Sequence, residues 1–320
     1  MTFLLLGLAS FSTVVADTKN QQHSQAKLRV LTTIKPIQAL LIAIAGDQVE
    51  SAQLIPDYAS PHRYSFKPSD ISLIKQADVI FRIDENFEIL LNHAFENKSP
   101  KAPLISLADD NNIQLLKILG KHHHTVTNPQ EKKKNHKETD GHNAHHKPHT
   151  QTDLHIWTSP QNMQILASII TATLSELDVK NKALYEKNLA QLNAALIKTT
   201  NEIQMALSSV KQKPYVVFHN SWQYFSHQFG LQAPTTVDFQ EGISAGIKSI
   251  KSIREKIRDT GIHCVLADPS IKPERVRTVT EGQIVNTGFI DILGADLPLN
   301  DRTAIRLIKS ISGTMAECLL

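Results

Sequence analysis

Residues 28–55 read LRVLTTIKPIQALLIAIAGDQVESAQLI, and this stretch decides the fold class. Leu28 to Ile34 carries the β-branched and aliphatic residues of a strand. Pro36 to Ala45 reads as a helix, with proline in the first turn, where its missing N–H is no loss, and Gly46 at its end. Val49 to Ile55 reads as a second strand. Strand, helix and strand in this order argue for a parallel sheet covered on both faces.

The alternation continues outward from that unit. Pro68 to Gln76 reads as a helix, Asp78 to Ile83 as a strand, Asn86 to Asn97 as a helix and Leu104 to Leu107 as a fourth strand. Ser159 followed by Pro160 marks a helix start, and that helix runs to about Leu177, where Asp178 can cap another. The stripe Tyr185, Leu189, Leu192, Leu196, Ile203 and Leu207 then keeps a helical period, with no Gly or Pro before Pro214. It predicts a helix of about thirty residues, about 45–50 Å long at ~1.5 Å per residue. That length exceeds one small domain and reads as a link between two lobes.

The second half repeats the pattern. Strands are expected at Tyr215–His219, Gln232–Val237, Ile262–Ala267 and Ile284–Thr287. Helices are expected at Ser221–Phe229, Ile247–Asp259, Pro273–Glu281 and Arg302–Cys318. The fold class is therefore α/β: two lobes, each a parallel sheet with flanking helices, joined by one long linker helix, with a cleft between the lobes. The lobes span 28–157 and 213–320, and the connecting helices span 159–211. No sequence repeat relates them.

Composition narrows the function. The chain has 320 residues and a formal net charge of +3. Its cations are scattered apart from Lys132, Lys133 and Lys134, with no aromatic residues interleaved, so no nucleic-acid partner is expected. Phe3 to Val15 is apolar and too short to span a membrane, and small or branched residues at Val14, Val15 and Ala16 suit signal cleavage before Asp17. No Lys or Arg precedes the run, a departure from the usual signal pattern. Residues 1–16 are expected to be a cleaved secretory signal. No cysteine ends that segment, so a soluble periplasmic protein is expected rather than a lipid-anchored one.

The chain has two cysteines, Cys264 and Cys318. In an exported protein an even pair suggests a disulfide, worth roughly 3–4 kcal/mol in the chain-entropy model. Two buried thiols or metal ligands are the alternatives.

Histidine is the unusual residue: there are 15, and eight lie between His122 and His149. Residues 121–151 hold almost nothing apolar, which predicts a disordered loop inside the first lobe. Its histidines are His122, His123, His124, His136, His142, His145, His146 and His149. Histidine-rich tracts bind metal. A chain that must be ordered on binding should hold an ion more weakly than a preorganised site, so capture and hand-off, or sensing of excess metal, is expected there.

Three other histidines stand apart. His62 follows the second strand, His155 precedes the helix that starts at Ser159, and His219 ends a strand. Asp291 lies past the last strand. In open α/β sheets ligands bind beyond the carboxyl ends of strands, so these residues can converge in a cleft between lobes. Three imidazoles and one oxygen suit tetrahedral zinc, with bonds of about 2.0–2.2 Å, whereas manganese favours more carboxylate oxygens. A single histidine at a strand end is more often structural than ligating, and spacing along the chain leaves both readings open.

Three segments carry a resemblance: Ala59-Ser60-Pro61-His62-Arg63-Tyr64-Ser65-Phe66-Lys67-Pro68-Ser69-Asp70, Leu154-His155-Ile156-Trp157-Thr158-Ser159-Pro160 and Phe218-His219-Asn220-Ser221-Trp222-Gln223-Tyr224-Phe225. Together, in this order, they resemble the metal-site motifs of the cluster A-I solute-binding proteins, and among them the ZnuA-type zinc-uptake members. The resemblance covers roughly residues 28–320 and includes the histidine-rich loop and the long helix. It implies that His62, His155 and His219 ligate Zn(II). It implies that Asp291 stands at a carboxylate position that ligates metal in some members and leaves the place to water in others. It also matches Cys264 and Cys318 to a disulfide pair of some zinc members.

Some zinc members carry a glutamate directly before the first histidine; here that position is Pro61, so Asp291 or water is left to complete the shell. The implied function is capture of periplasmic zinc and delivery to an ABC permease and its ATPase, by a monomer, with a periplasmic zinc chaperone as a further candidate partner. The alternatives are a manganese carrier of the same fold, in which a glutamate would replace His219, and a zinc hydrolase. No His-Glu-x-x-His helix or Gly-x-Ser-x-Gly elbow supports catalysis.

Overall fold

A computed structural model describes residues 26–118, 152–237 and 247–320. The expected signal segment and the loop histidines His122 to His149 lie outside the described residues. The first lobe holds β1 (Arg29–Thr32), α1 (Lys35–Ala45), β2 (Glu50–Gln53), α2 (Pro68–Gln76), β3 (Val79–Arg82), α3 (Asn92–Phe95) and β4 (Leu104–Ser106). A two-stranded antiparallel ribbon follows, β5 (Leu116–Lys117) with β6 (Thr152–Asp153). Then come α4 (Pro160–Leu177) and α5 (Lys182–Ala206). The second lobe holds β7 (Val216–Val217), α6 (Gln223–Phe229), β8 (Thr235–Thr236), α7 (Ile247–Asp259), β9 (Cys264–Ala267), α8 (Pro273–Thr280), β10 (Asn286–Phe289) and α9 (Thr303–Leu319).

Both lobes are built on a four-stranded parallel sheet. The strand orders are β2-β1-β3-β4 and β8-β7-β9-β10. Within each lobe the order is thus second, first, third, fourth, so the two lobes share a topology that no sequence repeat reveals.

The α1 helix is apolar nearly all round, and nine of its residues are buried. Such a helix needs cover on every side, and α1 packs against α4, α5 and α9 as well as its own sheet. Pro36 stands in the first turn and Gly46 ends the helix at positive φ. Ser159 caps α4, its hydroxyl accepting from the Asn162 N–H at 3.1 Å, which satisfies one of the donors a helix start leaves open.

The linker helix is shorter than expected. α5 has 25 residues, about 37 Å at 1.5 Å per residue. Asp178 accepts from Asn181 Nδ2 at 2.7 Å and from the Tyr185 hydroxyl at 2.6 Å, which sets a separate turn at residues 179–181 before α5 begins. Tyr185, Leu192, Leu196 and Ile203 form the buried stripe. Near its start, Asn188 donates to the Ile44 carbonyl of α1 at 2.8 Å; near its end, Glu202 pairs with Lys309 of α9 at 2.7 Å. One rigid rod therefore touches both lobes.

Two further expectations need correction. Of the helix expected at Asn86–Asn97, only Asn92–Phe95 is α-helical. In the second lobe β7, β8 and β9 are shorter than expected, β7 being two residues, while β10 keeps its expected four residues but starts two positions later. Cys264 and Cys318 form a disulfide that ties β9 to α9. Close packing continues beside it: a Cβ at Gly288 of β10 would lie 2.9 Å from side-chain atoms of Leu266 and Thr314.

Candidate metal centre

His155 and His219 each stand two residues past the end of a strand, β6 and β7 respectively, and His62 stands on the long connection between β2 and α2. The loop bearing His62 is fixed by Tyr64, whose buried hydroxyl donates to Asp70 at 2.8 Å, while Asp70 also accepts from the Lys67 N–H at the start of α2. Burial and that carboxylate push the Tyr64 phenol up to about 12, so it remains a donor at any physiological pH.

The ribbon β5–β6 aims His155. Tyr224 of α6 donates to the Asp153 carbonyl and accepts from the Leu116 N–H, and Gln223 donates to the Lys117 carbonyl at 2.8 Å. Phe87 packs edge-on against both His62 and His155, with ring centroids 4.7 and 5.5 Å away. Trp157, fully buried, lies against His155 and donates from Nε1 to the Ile292 carbonyl of the other lobe at 2.8 Å.

The result is a cluster. One ligand atom from each of His62, His155 and His219 lies within 4.8 Å of the others. The Nε2 atoms of His62 and His155 are 3.3 Å apart. Two nitrogens bound to one tetrahedral zinc at ~2.0–2.1 Å would sit about 3.3–3.4 Å apart, so this pair already has the spacing of a ligand edge. The cluster opens onto a cavity of about 340 Å³ lined from both lobes, by His62, Phe87 and Trp157 on one side and Ser221, Asp268 and Asp291 on the other.

Two carboxylates behind the imidazoles escaped sequence analysis. Asp153 Oδ1 lies 2.7 Å from Nδ1 of His155, and both residues are buried. Asp268, past the end of β9, places Oδ2 3.6 Å from Nδ1 of His219. Burial alone would raise the Asp268 carboxyl, but the neighbouring imidazole and the bonds from Ser270 outweigh it and hold the group below its ordinary value. A carboxylate on one ring nitrogen keeps the proton there and leaves the other nitrogen's lone pair for a metal.

Asp291 lines the same cavity but is not one of the clustered ligands. Its Oδ1 accepts from the Leu293 and Gly294 N–H groups, both at 2.9 Å, and its Oδ2 from Ala295 N–H at 2.6 Å. Gly294 completes this turn at φ +67, a conformation that L side chains rarely adopt.

Comparison with known proteins points the same way. The family model described as zinc-uptake complex component A, periplasmic (ZnuA), matches residues 30–318. The high-affinity zinc uptake system protein ZnuA of Brucella abortus (strain 2308) is 32% identical over 304 residues, 91% of each chain. A crystal structure of ZnuA aligns at TM-score 0.74 and 22% identity, over 92% of this chain and 100% of that one. A manganese-bound mutant of the periplasmic metal binding protein of Candidatus Liberibacter asiaticus aligns at TM-score 0.72 and 17% identity, over 92% of this chain and 100% of that one. At such identities the two structures speak for the fold alone.

Proposed function

We propose, for a chain that belongs to the periplasmic zinc-uptake component A (ZnuA) family, that zinc is carried by His62, His155 and His219 in the cleft between the lobes. The chain is the periplasmic zinc-binding subunit of an ABC importer. Such a subunit works with a permease and its ATPase, and its task is binding and delivery rather than catalysis. The observation that carries the site assignment is the approach of three imidazoles, from three separate connections of the fold, to within 4.8 Å.

The donor set supports zinc over manganese. Neutral imidazoles suit a borderline-soft ion, and among the described residues no carboxylate belongs to the cluster. The fourth donor is an oxygen, from water or from Asp291. The commitment of both Asp291 oxygens to backbone N–H groups favours water. The carboxylate of Asp153, 2.7 Å from Nδ1 of His155, fixes that ring's tautomer, and Asp268, 3.6 Å from Nδ1 of His219, lends negative charge behind the second ligand. We further assign residues 28–157 and 213–320 to the two lobes and 159–211 to the connecting helices. The protein acts as a periplasmic monomer, released by cleavage after residue 16. A periplasmic zinc chaperone is a candidate partner of the loop histidines.

Chelator competition tests this reading on the full chain, on His219→Ala and on a chain lacking residues 122–149. One tight zinc site should survive the deletion and vanish in His219→Ala. Loss of all tight binding with the deletion would move the function to the histidine-rich segment. A tighter grip on manganese than on zinc would change the cargo.

A further inference from the structure

Tyr58 is 80% exposed, yet its hydroxyl donates a 2.6 Å hydrogen bond to Asp296 of the opposite lobe. Both residues line the cavity that contains the three histidines. Tyr58 stands in the connection that leads to His62, and Asp296 stands just past the turn organised by Asp291. An exposed phenol is normally free to turn, so a bond across the mouth calls for an explanation.

Lys35 supplies part of it. This lysine is buried at the start of α1, and its ammonium donates to Asp57 at 2.7 Å and to the Ala295 carbonyl at 2.8 Å. Asp57 immediately precedes Tyr58, and Ala295 immediately precedes Asp296. One buried cation therefore fixes the root of each member of the outer pair. Trp157 adds a second buried tie to the same segment, through the Ile292 carbonyl. The inner contacts are charged or buried and hold firmly. The outer contact is a single bond in water, which contributes little and opens easily.

We propose that Tyr58 and Asp296 form a bolt across the mouth of the zinc cavity, setting the rate of zinc exchange without ligating the ion. The proposal rests on the zinc-carrier reading above. Lys35 and Trp157 keep the lobes joined while the bolt opens, so zinc passes without separation of the lobes. Because the bond is made beside the ion and not to it, its loss should accelerate capture and escape together.

Stopped-flow measurement of zinc capture, and of escape into excess chelator, tests this on the full chain and on Tyr58→Phe, Asp296→Ala and the double variant. Tyr58→Phe keeps the ring and every charge. It should raise both rates roughly threefold to tenfold, the range that an exposed hydrogen bond of this strength allows, and leave Kd within about twofold. The double variant should escape no faster than the faster single one, since both remove the same bond. Unchanged escape in Tyr58→Phe overturns the bolt. So does a weaker Kd with unchanged capture, which would make the hydroxyl part of the ion's hold. Failure of the unsubstituted chain to bind zinc tightly would instead overturn the carrier reading.

Discussion

The carboxylate of Asp153 lies 2.7 Å from Nδ1 of His155, two residues further along the chain, and the same oxygen accepts the His155 backbone N–H at 3.0 Å. One carboxylate thus fixes both the backbone and the ring of a ligand. Asp153→Asn preserves the size of the side chain but removes the charge that secures the tautomer. Zinc affinity should fall about 10- to 100-fold, the usual effect of losing such a partner, with little change in far-UV circular dichroism. Chelator competition reads the change, and an affinity within twofold of the original would show that the pair does not orient the ligand.

Asp291→Asn separates the two candidates for the fourth donor. If water completes the shell, zinc affinity should drop by less than about tenfold, while the turn at Leu293–Ala295 loses charge-assisted bonds worth about 1–3 kcal/mol of stability in all. A drop of more than a hundredfold would identify the carboxylate as a ligand. Thermal unfolding without metal and zinc competition, measured together, distinguish these outcomes.

Replacing Cys264 and Cys318 by serine should lower unfolding free energy by roughly 4 kcal/mol, the chain-entropy value for a loop of this length. The bond ties β9 to α9 and lies outside the cavity lining. Zinc affinity of the folded fraction should therefore stay within about threefold. Urea unfolding gives the first quantity, and a large affinity loss in folded protein would contradict the separation of the two.

Glu88 is fully buried, and burial pushes its carboxyl up to about 7 despite bonds from Thr33, Ile83 N–H and Asp84 N–H. The unfolded group titrates near 4.5. Between these values the folded state holds the proton more tightly, so stability falls as pH rises from about 4.5 through about 7. The total is of order 3 kcal/mol. Glu88→Gln should abolish this slope. Below about pH 4.5 it should be less stable by about 1–3 kcal/mol, since an amide cannot accept all three bonds, and this deficit should shrink or reverse by pH 8, where the unsubstituted chain has lost its protonation-linked stability. Urea titrations at pH 5 and pH 8 on both proteins check it, and equal slopes would contradict the assignment.

Much of the architecture was legible because its signals are local. The apolar run of α1 and the stripe of α5 are periodic patterns, and Pro36, Gly46 and Ser159 mark boundaries by their backbone chemistry. Asn86–Asn97 misled because side chains there compete for backbone groups. Glu88 takes the Ile83 and Asp84 N–H groups and Asp84 takes that of Asn86, which delays the helix to Asn92. The ribbon β5–β6 pairs two residues on each side, too few to leave a pattern. His62, His155 and His219 were recognisable from their motifs. Asp268 was not, because only the parallel pairing of Val217 with Leu266 brings the ends of β7 and β9 together. Tyr58 and Asp296 meet for a similar reason, across lobes that are far apart in sequence.

Three imidazoles from two lobes are expected to hold one zinc ion. Anomalous diffraction from crystals of the zinc-loaded protein, collected on both sides of the zinc absorption edge, tests this arrangement most directly. A single strong peak is expected about 2.0–2.1 Å from a ring nitrogen of each of His62, His155 and His219, with one oxygen completing a tetrahedron. A peak that misses any of the three histidines, or density with several carboxylate oxygens around the ion, would contradict it.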